Sequence, residues 1–311
     1  MVYLGGLGRS GTTLIERLLA ELPGVCSVGE VVHLWQRGVV EQERCGCGEP
    51  FGQCPFWSQV GTVAFGGWEQ LDVGRVSELR GAVDRSRHIP RLSGSTLPAA
   101  VRRDLAEYTS YYLRLYAAIA AVSGSPVVVD SSKHPSLAFC LRYRPELDLR
   151  VIHVVRDSRA VAYSWTRQVS RPDSEATTFM TTYSPAAAAG QWNAQNGAVQ
   201  LLARRGVSTL RVRYEDLVAA PAATLTNMAA FAGVTVSRAD LSFLGQEAGA
   251  RFADLRAGHS ASGNPMRFTT GRIAIRPDER WRTGMPAAQR RAVTALTLPL
   301  LAHYGYTRRA A

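Results

Sequence analysis

The first pattern with chemical meaning lies near the start of the chain, where residues 6–13 fit Gly-x-x-x-x-Gly-x-Thr. Glycines let a turn point consecutive N–H groups at one anion, and the N-terminus of a following helix adds a favourable dipole. Thr12 stands where nucleoside triphosphatases carry the lysine that reaches the β- and γ-phosphates, so triphosphate hydrolysis is poorly supported. The residues predicted to hold a phosphate here are Arg9, Ser10, Gly11, Thr12 and Thr13.

A second candidate is Lys133, the single lysine of the chain, since every other strong cation is an arginine. An ammonium is a compact point charge on a flexible stem and does not replace a planar guanidinium. Lys133 follows Asp130-Ser131-Ser132 at the end of an apolar run. The pattern marks it as a candidate for a site that needs a primary amine, and survival of one surface lysine by chance is the alternative.

Three of the five cysteines, Cys45, Cys47 and Cys54, lie close together in a Gly-rich segment. Zinc sites usually take four ligands at closer paired spacing. The segment is therefore expected to be a reduced structural loop, and no metal site is predicted.

The formal charge of +11 favours anionic ligands, which a phosphate-bearing small molecule satisfies as well as a nucleic acid does. No dense basic run with interleaved aromatics occurs, so no nucleic-acid partner is expected. The first residues lack the features of an export signal, and no apolar run is long enough to span a bilayer. A cytoplasmic protein without a membrane span is the expectation, and the oligomeric state is left open.

Strands alternating with helices are expected to position these residues. An apolar run at residues 2–4 precedes the glycine turn, and further strand-like runs are Pro126–Asp130, Arg150–Val155 and Ser208–Tyr214. Continuous β-branched runs are typical of parallel strands covered on both faces. The sequence predicts an α/β fold, a P-loop-like doubly wound parallel sheet flanked by helices, in a single domain over residues 1–311.

Two segments between the strands are interpreted as insertions. Residues 38–68 are loop-rich, and residues 98–122 carry a long helical pattern with four tyrosines. Tyrosines at helical spacing indicate a packed helix face more than a ligand platform.

Two motifs in a fixed order carry a resemblance to a known family. Gly8-Arg9-Ser10-Gly11-Thr12-Thr13-Leu14 resembles the 5′-phosphosulfate loop of sulfotransferases that use 3′-phosphoadenosine 5′-phosphosulfate (PAPS). The segment from Val155 to Ser164 resembles their 3′-phosphate motif. The resemblance implies that Arg156 and Ser164 hold the 3′-phosphate, because a guanidinium and a hydroxyl readily donate hydrogen bonds to phosphate oxygens. It also implies PAPS as donor, adenosine 3′,5′-bisphosphate as product, and no metal.

Later blocks resemble bacterial members of this family. They are Tyr214-Glu215-Asp216-Leu217 and Gly263–Phe268, the latter with Trp281-Arg282. The cofactor-binding residues that they imply are Tyr214, Asn264 and Arg267, the last two in a loop over the 3′-phosphate. Arg9 replaces the loop lysine of cytosolic aryl and steroid sulfotransferases, and their Lys-Thr-His segment is absent, so the chain is more similar to the tyrosylprotein and bacterial branch.

Sulfuryl transfer needs a base for the acceptor hydroxyl and a cation for the leaving group. The resemblance implies Glu30 as the base, from a Gly-Glu segment, with a helix cap or a surface ion pair as its alternative roles. His33 is the rival base, because imidazole titrates near neutral pH. Lys133 is expected to stabilise the bridging oxygen of the leaving group, and Arg9 to bind the 5′-phosphate or the sulfonate. Asp157 is expected to cap a helix.

The predicted activity is transfer of a sulfuryl group from PAPS to a hydroxyl of a small-molecule, glycolipid or secondary-metabolite acceptor. Two alternatives stay open. One is a P-loop kinase of small molecules, with Asp130 as a strand-end magnesium ligand, and the other is a non-catalytic protein that binds a bisphosphonucleotide. Residues 35–57 and 168–192 are expected to shape the acceptor pocket or a lid, since they follow catalytic elements on the ligand side of the sheet.

Overall fold

The structure is a computed structural model that describes residues 1–171 and 178–307. Its strands are β1 Val2–Gly5, β2 Val25–Ser27, β3 Val127–Lys133, β4 Arg150–Val155, β5 Ser170–Arg171, β6 Thr178–Phe179, β7 Ser208–Arg213, β8 Leu244–Glu247, β9 Ala250–Leu255 and β10 Gly271–Ile275. Its α-helices are α1 Thr12–Leu19, α2 Pro55–Phe65, α3 Val73–Val83, α4 Ile89–Leu92, α5 Ala99–Ser123, α6 Pro135–Leu141, α7 Ser158–Trp165, α8 Pro185–Arg204, α9 Tyr214–Ala219, α10 Pro221–Ala232, α11 Trp281–Gly284 and α12 Ala287–His303.

Shorter helical turns complete the described elements. A π-helix spans Leu34–Val40, and the 3-10 helices are Val31–His33, Phe51–Gln53, Trp68–Gln70, Ser86–His88, Ala239–Leu241 and Pro265–Phe268. Within the described ranges, no helix combines the length and apolar character that a membrane crossing requires.

Five strands form a central parallel sheet in the order β2-β3-β1-β4-β7. The chain passes from β1 to one edge of the sheet and returns through β3 before it crosses to β4 on the other side of β1. Open α/β sheets bind ligands beyond the carboxyl ends of strands at such a reversal. The predicted α/β fold, with a parallel sheet flanked by helices, is confirmed, and all the strand-like runs of the sequence analysis form strands.

Both faces of the sheet are covered by apolar layers. Tyr3 and Val151 pack into one layer with α2, α5 and α8, whereas Leu4 and Ile152 pack into the other with α1 and α10. Successive side chains of a strand point to opposite faces, so a strand between two layers has to be apolar at every position. This is why the strand sequences read as unbroken apolar runs.

Helix α5 confirms the helical pattern at residues 98–122. Tyr108, Tyr112 and Tyr116 are buried in the apolar layer, so the tyrosine stripe is a packing face. Residues 38–68 contain more regular structure than expected, because α2 places Trp57 and Val60 in the core at helical spacing. Its proline stands in the first turn, where the missing N–H has no helical partner to lose.

Strands β8, β9 and β10 form a separate antiparallel sheet that the sequence analysis did not predict. The segment joining β9 to β10 passes beside the end of β2, where Ala261 N donates to Val28 O over 2.9 Å and Glu30 N donates to Ser262 O over 3.2 Å. The fold thus brings residues near 264 and 276–280 to the same end of the parallel sheet as the phosphate-loop pattern.

Candidate active site

A cavity of about 720 Å³ opens where the parallel strands end. Its wall is built from residues at or just after the ends of β1, β2, β3, β4 and β7, together with residues of α7 and residues in and around β10. The predicted residues that line it are Arg9, Gly11, Thr12, Thr13, Glu30, Lys133, Arg156, Ser164, Tyr214 and Asn264. Ser10 and Arg267 do not line this cavity.

The turn between β1 and α1 faces the cavity with the N-terminus of a helix. Gly11 precedes α1 with φ of 91°, in the left-handed region, and a Cβ on it would stand 2.4 Å from the Tyr214 ring. Only glycine fits both the backbone conformation and the close approach. The first N–H groups of α1 lack helical acceptors, so Thr12 and Thr13 present an anion site to the cavity. Ser10 is buried behind this turn.

Arg156, directly after β4, forms the opposite part of the wall. Its Nη1 donates to Arg9 O over 3.0 Å, and its guanidinium lies 4.6 Å from the centre of the Tyr214 ring. Ser164 lines the same cavity from α7. Asp157 caps α7 by accepting a hydrogen bond from Arg159 N at 2.8 Å, which confirms its predicted structural role.

The segment after β10 supplies charged residues that the sequence analysis missed, namely Arg276, Asp278 and Arg280. Asp278 accepts hydrogen bonds from Arg280 at 2.6 and 2.8 Å and lies 3.1 Å from Arg156 Nη2. Hydrogen bonds from Arg280, and then from Arg156, outweigh burial and hold the pKa of Asp278 well below its usual range. The carboxylate of Asp278 therefore binds the Arg156 guanidinium, which the sequence analysis had assigned to a phosphate. The sequence signal that could have identified these residues is the cluster of charges at 276–280, directly after a strand.

Glu30 and Lys133 form an ion pair in the cavity wall, with side chains 14% and 12% exposed. Glu30 precedes the short helix at Val31–His33, but its side chain makes no capping hydrogen bond there. Its partner is the single lysine and both side chains are largely buried, so neither the helix-cap nor the surface-pair alternative describes it.

The end of β3 is fixed on both sides, which positions Lys133. Ser131 Oγ donates to Glu16 Oε2 on α1 over 2.5 Å, and Ser132 Oγ accepts from Val32 N at 2.9 Å. Lys133 Nζ also donates to Ser131 O over 3.0 Å. The ammonium is therefore positioned beside Glu30.

The two candidate bases differ in protonation. Burial would raise the pKa of Glu30, but the charge of Lys133 and its hydrogen bond to the carboxylate outweigh burial, and the pKa lies below its usual range. Burial lowers the pKa of His33 to about 3, so its imidazole is a weak proton acceptor. Of the two candidate bases, Glu30 is the one that is anionic at neutral pH.

Arg9 lines the cavity beside Met180 and Trp165. Its Nη2 donates to Met180 Sδ at 3.4 Å, and the guanidinium stands 5.2 Å from the Trp165 ring centre. In the described part of the chain, Arg9 Nε is buried without a hydrogen-bond partner. A half-buried guanidinium whose neighbours are a thioether and an aromatic ring keeps donors for an anion. Trp165, which the sequence analysis did not select, also fixes the turn by donating from Nε1 to Gly8 O at 3.0 Å.

Asn264 and Arg267 do not act together as expected. Asn264 lines the cavity, and its Oδ1 accepts from Met266 N at 3.1 Å. The 3-10 turn that starts there points Arg267 into the interior, where it is 1% exposed and donates to Ser260 O over 2.9 Å. Arg267 therefore has a structural position behind the loop.

Asp130 lies behind the cavity wall. It is fully buried and accepts hydrogen bonds from Tyr116 Oη at 2.6 Å and Ser132 N at 2.7 Å. Burial raises its pKa to about 7 despite these donors. The Asp130 carboxylate makes its hydrogen bonds inside the protein and does not face the cavity as a magnesium ligand would.

The segments expected to shape the acceptor pocket contribute little to this cavity. Trp35 and Trp57 are buried in the apolar layer, and no residue of 35–57 lines the cavity. From 168–192, Met180 lines it, and residues 172–177 lie outside the described part of the chain.

Comparisons with known proteins agree with this architecture. A family model described as "Sulfotransferase family" matches residues 63–238. The sulfotransferase domain of the Synechococcus PCC 7002 olefin synthase is 23% identical over 96% of this chain and 94% of its own, with a TM-score of 0.52. The sulfotransferase domain of the curacin biosynthetic pathway is 17% identical over 95% and 96%, with a TM-score of 0.50.

A search of curated proteins found no match. The two solved structures support the fold, whereas the family model covers more than half of the chain. The chain therefore belongs to the sulfotransferase family.

Proposed function

We propose that this protein transfers a sulfuryl group from PAPS to a hydroxyl of a small-molecule, glycolipid or other secondary-metabolite acceptor by in-line displacement. The observation that carries the proposal is the convergence of two phosphate-binding arrangements on one cavity. The turn before α1 suits the 5′ end of the donor, and Arg156 with Ser164 suits its 3′-phosphate.

The charge of the cavity supports a donor with several phosphate-type anions. Five basic side chains line it, Arg9, Lys133, Arg156, Arg276 and Arg280, against two carboxylates, Glu30 and Asp278. A net positive, partly buried site favours a highly charged nucleotide. A kinase is less well supported, because the loop lysine is absent and Asp130 is buried away from the cavity.

The pair of Glu30 and Lys133 supplies the two groups that the reaction needs. Glu30 accepts the proton of the acceptor hydroxyl as its oxygen bonds to sulfur, and the bond from sulfur to the 5′-phosphate oxygen breaks. Lys133 stabilises the negative charge that develops on that oxygen. When Lys133 turns to the leaving group, Glu30 loses the partner that lowers its pKa and becomes a stronger base.

Transfer itself tests the proposal. The protein is incubated with PAPS carrying labelled sulfur and with a panel of hydroxyl compounds from phenols to glycolipids, and labelled products and released bisphosphate are measured together. Equal amounts of both are expected for at least one acceptor class. Phosphoryl transfer from ATP with magnesium would overturn the proposal, and bisphosphate binding without turnover over the whole panel would favour the binding protein.

Asp278 is expected to compete with the 3′-phosphate for Arg156. We expect Asp278→Asn to tighten binding of adenosine 3′,5′-bisphosphate by about tenfold, because one competing charge-assisted contact is removed. Calorimetric titration measures this, with Glu279→Gln as the matched control, since Glu279 pairs with Arg282 outside the cavity. Weaker binding to Asp278→Asn would show that Asp278 instead holds the arginines in place for the ligand.

A further inference from the structure

Four potential metal ligands converge outside the active-site cavity. The ligand atoms of Cys45, Cys47, Cys54 and His259 all lie within 4.8 Å of one another. Cys47 Sγ is 3.7 Å from Cys54 Sγ, and His259 Nδ1 is 3.3 Å from Cys54 Sγ and 3.8 Å from Cys45 Sγ. The histidine comes 205 residues after Cys54, and the fold alone brings it to the cysteines.

The separations between Cys47 and Cys54, Cys54 and His259, and Cys45 and His259 are close to the edges of a coordination tetrahedron. Zinc binds sulfur at about 2.3 Å and histidine nitrogen at about 2.0 Å, which gives ligand separations of roughly 3.8 Å for two sulfurs and 3.6 Å for sulfur and nitrogen. A disulfide would need sulfurs at about 2.05 Å, and all five cysteines are free. We propose that Cys45, Cys47, Cys54 and His259 bind one structural zinc ion.

The cysteine segment has the local structure of a metal-binding loop. Cys45 begins a tight turn in which Gly48 N donates to Cys45 O over 2.8 Å and Cys45 N donates to Glu49 O over 2.8 Å. The turn brings the sulfurs of Cys45 and Cys47 into one cluster with the sulfur of Cys54.

The histidine is held in a fixed orientation by residues next to the cysteines. Its ring stacks on Phe56 with centroids 4.8 Å apart and an interplanar angle of 15°. The carbonyl oxygen of His259 accepts a hydrogen bond from Trp57 Nε1 at 2.9 Å. Gly46 lies so close to this segment that a Cβ on it would stand 2.8 Å from Gly258 O. The two chain segments are thus packed for four-fold coordination.

Because all four tetrahedral positions are filled by protein groups, the ion would be structural. It would join the cysteine loop to residues 258–262, which hold the backbone of Glu30 through the hydrogen bond from Glu30 N to Ser262 O. Gly263, the next residue, lies close beside the Glu30 carboxylate. The metal is therefore expected to stabilise the segment against which Glu30 is placed. The sequence analysis predicted a metal-free loop because the three cysteines lack a fourth ligand nearby in the sequence, and His259 lies 205 residues after Cys54.

Metal content of the full chain, purified without chelators or added zinc, tests the proposal. One zinc per chain is expected by elemental analysis, and exchange with Co²⁺ should give the visible absorption of tetrahedral cobalt with thiolate ligands. Less than about a tenth of an equivalent of zinc after expression in zinc-supplemented medium would overturn it. A disulfide between Cys47 and Cys54 in the freshly isolated protein, seen by mass spectrometry, would overturn it as well.

Variants then identify the ligands. His259→Ala and Cys54→Ser are expected to lose most of the zinc, whereas Cys26→Ser and His303→Ala, which remove the same residue types elsewhere, retain one equivalent. A chelator should lower the melting temperature of the wild type and of both control variants. Zinc retained at full occupancy by both His259→Ala and Cys54→Ser would contradict the assignment, and the wild-type metal content decides it if these variants fail to fold.

Discussion

Replacing Glu30 with Gln is expected to lower the rate of sulfuryl transfer by about 10²- to 10⁴-fold while leaving the affinity for adenosine 3′,5′-bisphosphate almost unchanged. Glutamine keeps the shape of the side chain but cannot accept the acceptor proton. The carboxylate pairs with Lys133 in the cavity wall, whereas the residue proposed to hold the 3′-phosphate is Arg156. The turnover number with an acceptor from the panel and calorimetric binding of the bisphosphate measure the two effects separately.

His33→Asn is the comparison that discriminates the rival base. His33 Nε2 lies 3.7 Å from Glu30 Oε2, so its loss changes the surroundings of the carboxylate without removing it. A rate loss of less than about tenfold is expected for His33→Asn, since the imidazole is already a poor base. A large loss in His33→Asn together with near-normal turnover in Glu30→Gln would assign the proton transfer to histidine.

Replacing Lys133 with Met is expected to lower the rate by about 10²- to 10³-fold, because a preorganised charge at the leaving group is removed. A second consequence follows for pH dependence. Burial raises the pKa of Glu30 and Lys133 is the leading group that lowers it, so loss of the ammonium leaves burial less opposed. The protonated, inactive form then persists to higher pH, and the acidic limb of the rate profile shifts upward.

Lys133→Arg separates charge from geometry at this position. Arginine retains a positive charge but has a planar, bulkier head that does not fit the space of an ammonium. We expect it to restore the acidic limb of the profile while recovering only part of the rate. Near-normal turnover of Lys133→Met, or a profile that does not move, would contradict a role for Lys133 at the leaving group and beside Glu30.

Most of the structure that could be predicted from the sequence follows from patterns within short segments. The strand at residues 150–155 and the helix at residues 98–122 follow from unbroken β-branched runs and from helical periodicity, which each segment carries in itself. The glycine turn before α1 was predictable for the same reason, because its residues are consecutive and Gly11 needs a left-handed conformation.

Features that depend on distant contacts were not predictable. Asp278 meets Arg156 across 122 residues, and His259 meets Cys54 across 205. The hydrophobic periodicity of the sequence does not indicate these contacts, because the antiparallel sheet and the segment between β9 and β10 bring the partners together. Arg267 shows the same limit at short range, since the 3-10 turn decides which side of the loop its guanidinium faces.

Donor recognition is the central claim, and one calorimetric comparison tests it most directly. The full chain is titrated with adenosine 3′,5′-bisphosphate and, separately, with ATP plus magnesium, and both titrations are repeated on Arg156→Ala. We expect micromolar binding of the bisphosphate that Arg156→Ala weakens by about 100-fold, and much weaker binding of ATP. Preference for ATP with magnesium, or bisphosphate binding that is indifferent to Arg156, would contradict the PAPS site and the roles given to Glu30 and Lys133.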